Sequence, residues 1–118
     1  MLAHSQMLRA SADVTSQPLD ARAITDPAVD PLLPAGRPLI SFVDAVLFRA
    51  TRLEDTRREV LDAVGESGLV DAAGVIANFE MMNRIADATG MPVGKGTLKR
   101  TREWRALLDL DRFRHEGG

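Results

Sequence analysis

Across residues 69–90 the chain reads LVDAAGVIANFEMMNRIADATG, and its apolar positions recur at the three-and-four spacing of an α-helix. Leu69, Ala72, Ala73, Ile76, Phe79 and Met82 make one stripe, which Val75, Ile85 and Ala86 widen over most of the circumference. The pattern predicts a long, buried central helix over 69–90 with partners on two sides. Its polar residues are grouped: Glu80, Asn83, Arg84 and Asp87 share a face, with Glu80 ahead of Arg84 in the favourable i,i+4 order. Gly90 suits the left-handed residue that closes a helix, and Pro92 discourages continuation.

The other patterned stretches are also helical. Residues 2–12 predict a first helix offering Leu2, Met7, Leu8 and Ala12 to a core, with no capping residue ahead of it. Residues 13–37 set Pro18, Pro27, Pro31 and Pro34 among Asp20, Asp26 and Asp30, which breaks any period. They predict a long connection pinned to the surface by Leu19, Ile24, Val29, Leu32 and Leu33. Residues 38–118 then predict a helical domain. Pro38 suits a first helical turn, and Leu39, Phe42, Val43, Val46, Leu47 and Ala50 follow as an apolar stripe. A short helix over 54–64 turns Val60, Leu61 and Val64 inward and is expected to stop at Gly65 and Gly68. Thr97 is expected to cap a last helix carrying Leu98, Trp104, Leu107 and Leu108, with Lys99, Arg100, Arg102 and Arg105 outside, before a fraying tail, FRHEGG. No segment alternates with period two over a strand's length. The fold class is therefore all-α, a bundle of four to five helices.

Composition narrows function mainly by exclusion. A chain of 118 residues is one domain's worth, and a net charge of −2 implies no general affinity for nucleic acid or anionic membranes. Neither a signal-peptide pattern nor a run long enough to cross a bilayer occurs, so the expected location is cytoplasmic. With no cysteine, thiolate nucleophiles and thiolate metal ligands are excluded for these residues, and the two histidines, His4 and His115, lack the spacing of a metal pair. No metal and no cofactor is expected.

Three local patterns bear on chemistry. GMPVGKGT, residues 90–97, fails as a phosphate loop because three residues separate Gly90 from Gly94 and Gly96 splits Lys95 from Thr97. A Ser-His-Asp set built from His4, Ser5 and a distant aspartate has no nucleophile elbow behind it. Glu80 is a candidate general base if an apolar wall raises its pKa, against the simpler reading of a structural pair with Arg84. Trp104 reads as a packing anchor rather than a base-stacking platform.

The run GVIANFEMMNRIADATGMP, residues 74–92, resembles the closing helix of the alkylhydroperoxidase D-like and carboxymuconolactone decarboxylase superfamily, with Asn83, Arg84, Ala86 and Asp87 as the matching residues. Residues 39–50 and 54–68 resemble the two helices that precede it there. His4, Ser5, Leu8 and Arg9 are similar to the helix that follows that family's CxxCxxxH motif. The resemblance thus spans the second half of a family domain, makes residues 1–12 a remnant of that helix and gives His4 the place of the motif histidine. Both cysteines and the acidic proton relay would lie upstream of Met1. It implies the family's helical scaffold and a homo-oligomer, without peroxide reduction, since that chemistry needs thiolates. The alternatives are a small helical interaction or oligomerisation module without enzymatic role, a shortened reading of a thiol-dependent hydroperoxide reductase, and an enzyme using Glu80 as base.

Overall fold

A computed structural model describes residues 2–49 and 51–113. Among them are five α-helices and no strand: α1 (Leu2–Thr15), α2 (Gly36–Leu47), α3 (Leu53–Thr89), α4 (Lys95–Arg100) and α5 (Arg102–Leu107), with single 3-10 turns at Ala21–Ile24 and Leu110–Phe113. The all-α class holds, as does one long helix in the middle of the chain. Ala50, expected in the α2 stripe, and residues 114–118 of the tail, including His115, lie outside the described residues. The chain divides into two compact units, Pro34–Thr89 on the one hand and Met1–Leu33 with Gly90–Gly118 on the other.

The unit Pro34–Thr89 is a helical hairpin. Phe42 of α2 meets Val60 and Ile76 of α3 in its core, and Leu39, Val43, Val46, Leu53, Leu69 and Ala72 pack around them. Val60 is fully buried. Ala45 is buried beside Phe42's turn, so the α2 stripe is narrower than its hydrophobicity suggests, and Leu47 and Phe48 stay exposed. Helix α2 starts at Gly36, with Pro38 inside its first turn.

Two expectations for α3 need correction. The long helix is not confined to 69–90: α3 spans Leu53–Thr89 with a kink at Gly65, and helix resumes directly past the kink, ahead of 69. The short helix expected over 54–64 does end at Gly65, whose φ 76 and ψ −178 are essentially restricted to glycine. Gly68, by contrast, is no terminator. A Cβ there would lie 2.6 Å from Val64 Cγ2, so Gly68 admits the valine folded back across the kink. The second correction concerns burial. Only Ile76 of the 69–90 segment is buried, because α2 covers one side of α3 and leaves the other apolar rows to solvent. Gly90, at φ 62, closes the helix as expected.

Gly65→Ala is expected to destabilise the hairpin by about 1–3 kcal/mol, the usual cost of forcing a side chain into this backbone region. Nothing lies within 4 Å of the added Cβ, so the loss measured by urea denaturation would report the backbone and not a clash. An unchanged midpoint would mean that the kink relaxes into continuous helix.

In the other unit, Trp104, Leu108 and Leu110 form the core, with Leu2, Ala21 and Ile24 packed against it. The connection, expected over 13–37, is shorter, 16–35, because α1 runs on to Thr15 and α2 starts at Gly36, and it is tied down as expected. Asp20 N donates to Pro31 O at 3.1 Å, Asp20 caps the first 3-10 turn through Arg22 N, and Arg112 reaches Thr25 O at 3.0 Å. Leu32 departs from that expectation: it is exposed and sits at φ 61. Met7 and Leu8 of α1 are likewise exposed, and Ser5 and Ala12 take the buried positions.

The expected last helix is broken in two. Thr101, buried, stands at the break with φ −103 and ψ 12, and both its N–H and its hydroxyl donate to Thr97 O, at 3.0 and 2.7 Å. Thr97 is therefore inside α4 rather than its cap, which is Gly94. Arg105 also turns inward instead of facing water: it pairs with Asp111 and donates to Leu98 O at 3.2 Å, while its Nε is buried without a hydrogen-bond partner.

Candidate functional site

The residues singled out from sequence do not assemble into one centre. His4 is exposed on α1, in the Met1–Leu33 unit, and Glu80 lies on α3, in the other. Ser5, its neighbour in the paper triad, is committed elsewhere: it is buried, donates its hydroxyl to Leu2 O at 2.8 Å and accepts the Trp104 indole N–H at 2.7 Å. With the hydroxyl hydrogen on Leu2 O and an indole on its lone pair, Ser5 is a structural clasp and not a nucleophile.

Glu80 sits on the polar face of α3 with a side chain 37% exposed, and it pairs with Arg84 at 3.4 Å. No apolar wall encloses the carboxylate. The i,i+4 pair expected from the order of the charges is what the helix displays. Among the described residues no group of His, Cys, Asp or Glu is arranged to hold a metal ion, and no helix is long and apolar enough to cross a membrane.

A concave site that the linear pattern did not reveal lies in the Trp104 unit. A cavity of about 560 Å³ runs beside α1 and is lined by Gln6, Arg9, Asp13, Arg100, Glu103 and Trp104. A second, of about 310 Å³, shares Arg9, Asp13 and Trp104 and continues the groove toward Asp20 and Arg22. Arg9 lies over the Trp104 ring, 5.1 Å from its centroid. The α1 residues concerned, Gln6, Arg9 and Asp13, follow one helical row, which was the available signal. That signal is weak on its own, since a mixed polar row on a short helix reads as an ordinary solvated face.

Charges at the two ends of this groove behave differently. At the far end, Arg22 engages both oxygens of Asp20, and this contact lowers the carboxyl pKa and raises that of the guanidinium. Around Trp104, by contrast, Arg9, Asp13, Arg100 and Glu103 form no ion pair with any other described residue.

A third feature is the uncovered side of α3. Val70, Met81 and Ile85 fall on one row with Gly74 between them, and Val75 and Met82 on the adjacent row. Val70 is 69% exposed, Met81 55% and Ile85 52%. Compared with protein-family models, with curated proteins and with solved structures, the chain finds no match.

Proposed function

We propose that this chain is a self-associating helical module on an alkylhydroperoxidase D-like, carboxymuconolactone decarboxylase-like scaffold, without thiol peroxide chemistry in these residues. The uncovered apolar rows of α3 are the observation that carries the reading. Scattered exposed hydrophobics are ordinary, but five large ones in two adjacent rows of one helix form a patch of the kind that marks interfaces. The proposed occupant is the same face of a second copy, because such a surface is self-complementary about a two-fold axis. The match of Asn83, Arg84, Ala86 and Asp87 to the family's closing helix, and that family's habit of oligomerising, support the same choice. The complete lack of cysteine removes the attacking thiolate, so His4 has no sulfur to assist.

Sedimentation equilibrium tests this directly. The wild-type chain is expected at a multiple of 12.8 kDa at micromolar concentration, and Met81→Glu with Ile85→Glu at the monomer mass with undiminished helicity. Burying an aliphatic side chain is worth roughly 1.5–3 kcal/mol, so charging two of them weakens association by at least about a hundredfold. A wild-type monomer, or a double variant that still assembles, would sink the proposal. Hydroperoxide consumption by the purified chain would sink its chemical half.

A further inference from the structure

We infer that the groove beside Trp104 is a binding site for a short zwitterionic peptide, whose carboxylate meets Arg9 and whose ammonium meets Asp13, in a groove that Arg100 and Glu103 also line. The site lies wholly in the Trp104 unit and does not depend on self-association through α3.

The order of charges along the helices sets this groove apart from the rest of the surface. Glu54 precedes Arg57 and Arg58, Glu80 precedes Arg84, and in each case the anion and cation pair. In the groove the order is reversed: Arg9 precedes Asp13 by four residues, and Arg100 precedes Glu103 by three. That order gives the poorer geometry within α1, and Arg100 and Glu103 lie on different helices, α4 and α5, on either side of Thr101. All four charges accordingly face the same cavity without neutralising one another.

Arg9 is held by the indole instead. The contact with the Trp104 ring leaves the guanidinium N–H groups without a hydrogen bond or ion pair to any described residue, and such groups match a carboxylate in bidentate geometry. Trp104 is fixed in turn by its bond to Ser5, so the platform is set before any ligand arrives. A purely anionic ligand would meet Asp13 and Glu103, and a purely cationic one Arg9 and Arg100. Only a ligand carrying both charges satisfies both pairs. Arg9 and Asp13 stand one helical turn apart on α1, so one small extended ligand such as a dipeptide can reach both with its two ends. A volume of about 560 Å³ is within the ordinary range for small-molecule sites.

Trp104 is the sole tryptophan and there is no tyrosine, so intrinsic fluorescence reads this site alone. Alanyl-alanine is expected to give a saturable change with half-saturation at or below about 1 mM. N-acetyl-alanyl-alanine, which lacks the ammonium, and alanyl-alanine amide, which lacks the carboxylate, are each expected to bind at least about tenfold more weakly. The variants carry the assignment: Asp13→Asn should abolish the preference for dipeptide over the acetylated form, and Arg9→Gln the preference over the amide. Calorimetric titration of the same samples covers a fluorescence change too small to follow. No saturable binding by roughly 10 mM, or equal binding of all three ligands to the wild type, would overturn the inference.

Discussion

Phe42→Ala is expected to lower the stability of the α2–α3 hairpin by about 3–5 kcal/mol, one of the two largest losses available to a single truncation in this chain. Phe42 is 4% exposed and is the only aromatic side chain in a core whose other buried members are Val60 and Ile76. Removing the ring leaves a cavity at the centre of the α2–α3 interface, beside Val60 and Ile76 and inside the surround of Leu39, Val43, Val46, Leu53, Leu69 and Ala72. Small domains are stable by only about 5–15 kcal/mol in total, so a loss of this size would show as helix melting at ordinary temperature. Phe42→Leu, which keeps most of the volume, should recover at least half of the loss. Urea denaturation followed by far-UV circular dichroism makes the comparison. A change of less than about 1 kcal/mol for Phe42→Ala would place the hairpin's core elsewhere.

Periodicity made much of the hairpin legible before any coordinates. Leu39, Phe42, Val43 and Val46 on one side, and Val60, Leu69, Ala72 and Ile76 on the other, are the residues that the three-and-four spacing selects. The burial of α3 was overread for a physical reason: a stripe of hydrophobic residues reports what a helix would bury if partners were present, not how many partners exist. α2 supplies one, and the rows through Val70, Met81 and Ile85 have none within their unit. Gly65 ends the helix over 54–64 as its place in the sequence suggests, and helix resumes past it because a glycine permits a break without requiring a loop. The glycine at 90 terminates a helix because the flanking sequence, MPVG, offers nothing that could resume one.

The candidate site was harder to read because its parts lie far apart in sequence. Ser5 and Trp104 are separated by 99 positions, and neither has a local pattern that points to the other. A buried serine hydroxyl inside a helix is selected by the tertiary partner that fills its lone pair, and no period encodes that. The groove's unpaired charges depend likewise on α1 lying beside α5, although the reversed order of Arg9 and Asp13 was present in the sequence all along. Glu80 and Arg84, whose pairing needs only one helix, were correctly paired from their spacing.

The second large effect is expected at Trp104. Trp104→Ala should cost about 3–5 kcal/mol, since the ring is 8% exposed and packs with Leu108 and Leu110, and since it also carries the contact with Arg9, worth roughly 0.5–1 kcal/mol at a partly exposed position. Ser5→Ala is expected to cost about 1–3 kcal/mol, more than a hydroxyl in a helix normally contributes, because it strands the indole N–H in a buried position. In Trp104→Phe the ring face remains but the donor is gone, while Ser5 keeps its own bond to Leu2 O. Adding Ser5→Ala to that background should therefore cost less than it does in the wild type, by a coupling of about 0.5–3 kcal/mol. Chemical denaturation of the four chains, followed by circular dichroism because the phenylalanine variants lose the fluorophore, closes the cycle. If the two substitutions are additive, the 2.7 Å contact contributes no net stability, and the anchoring of α1 rests on hydrophobic packing of Leu2 against the Trp104 cluster.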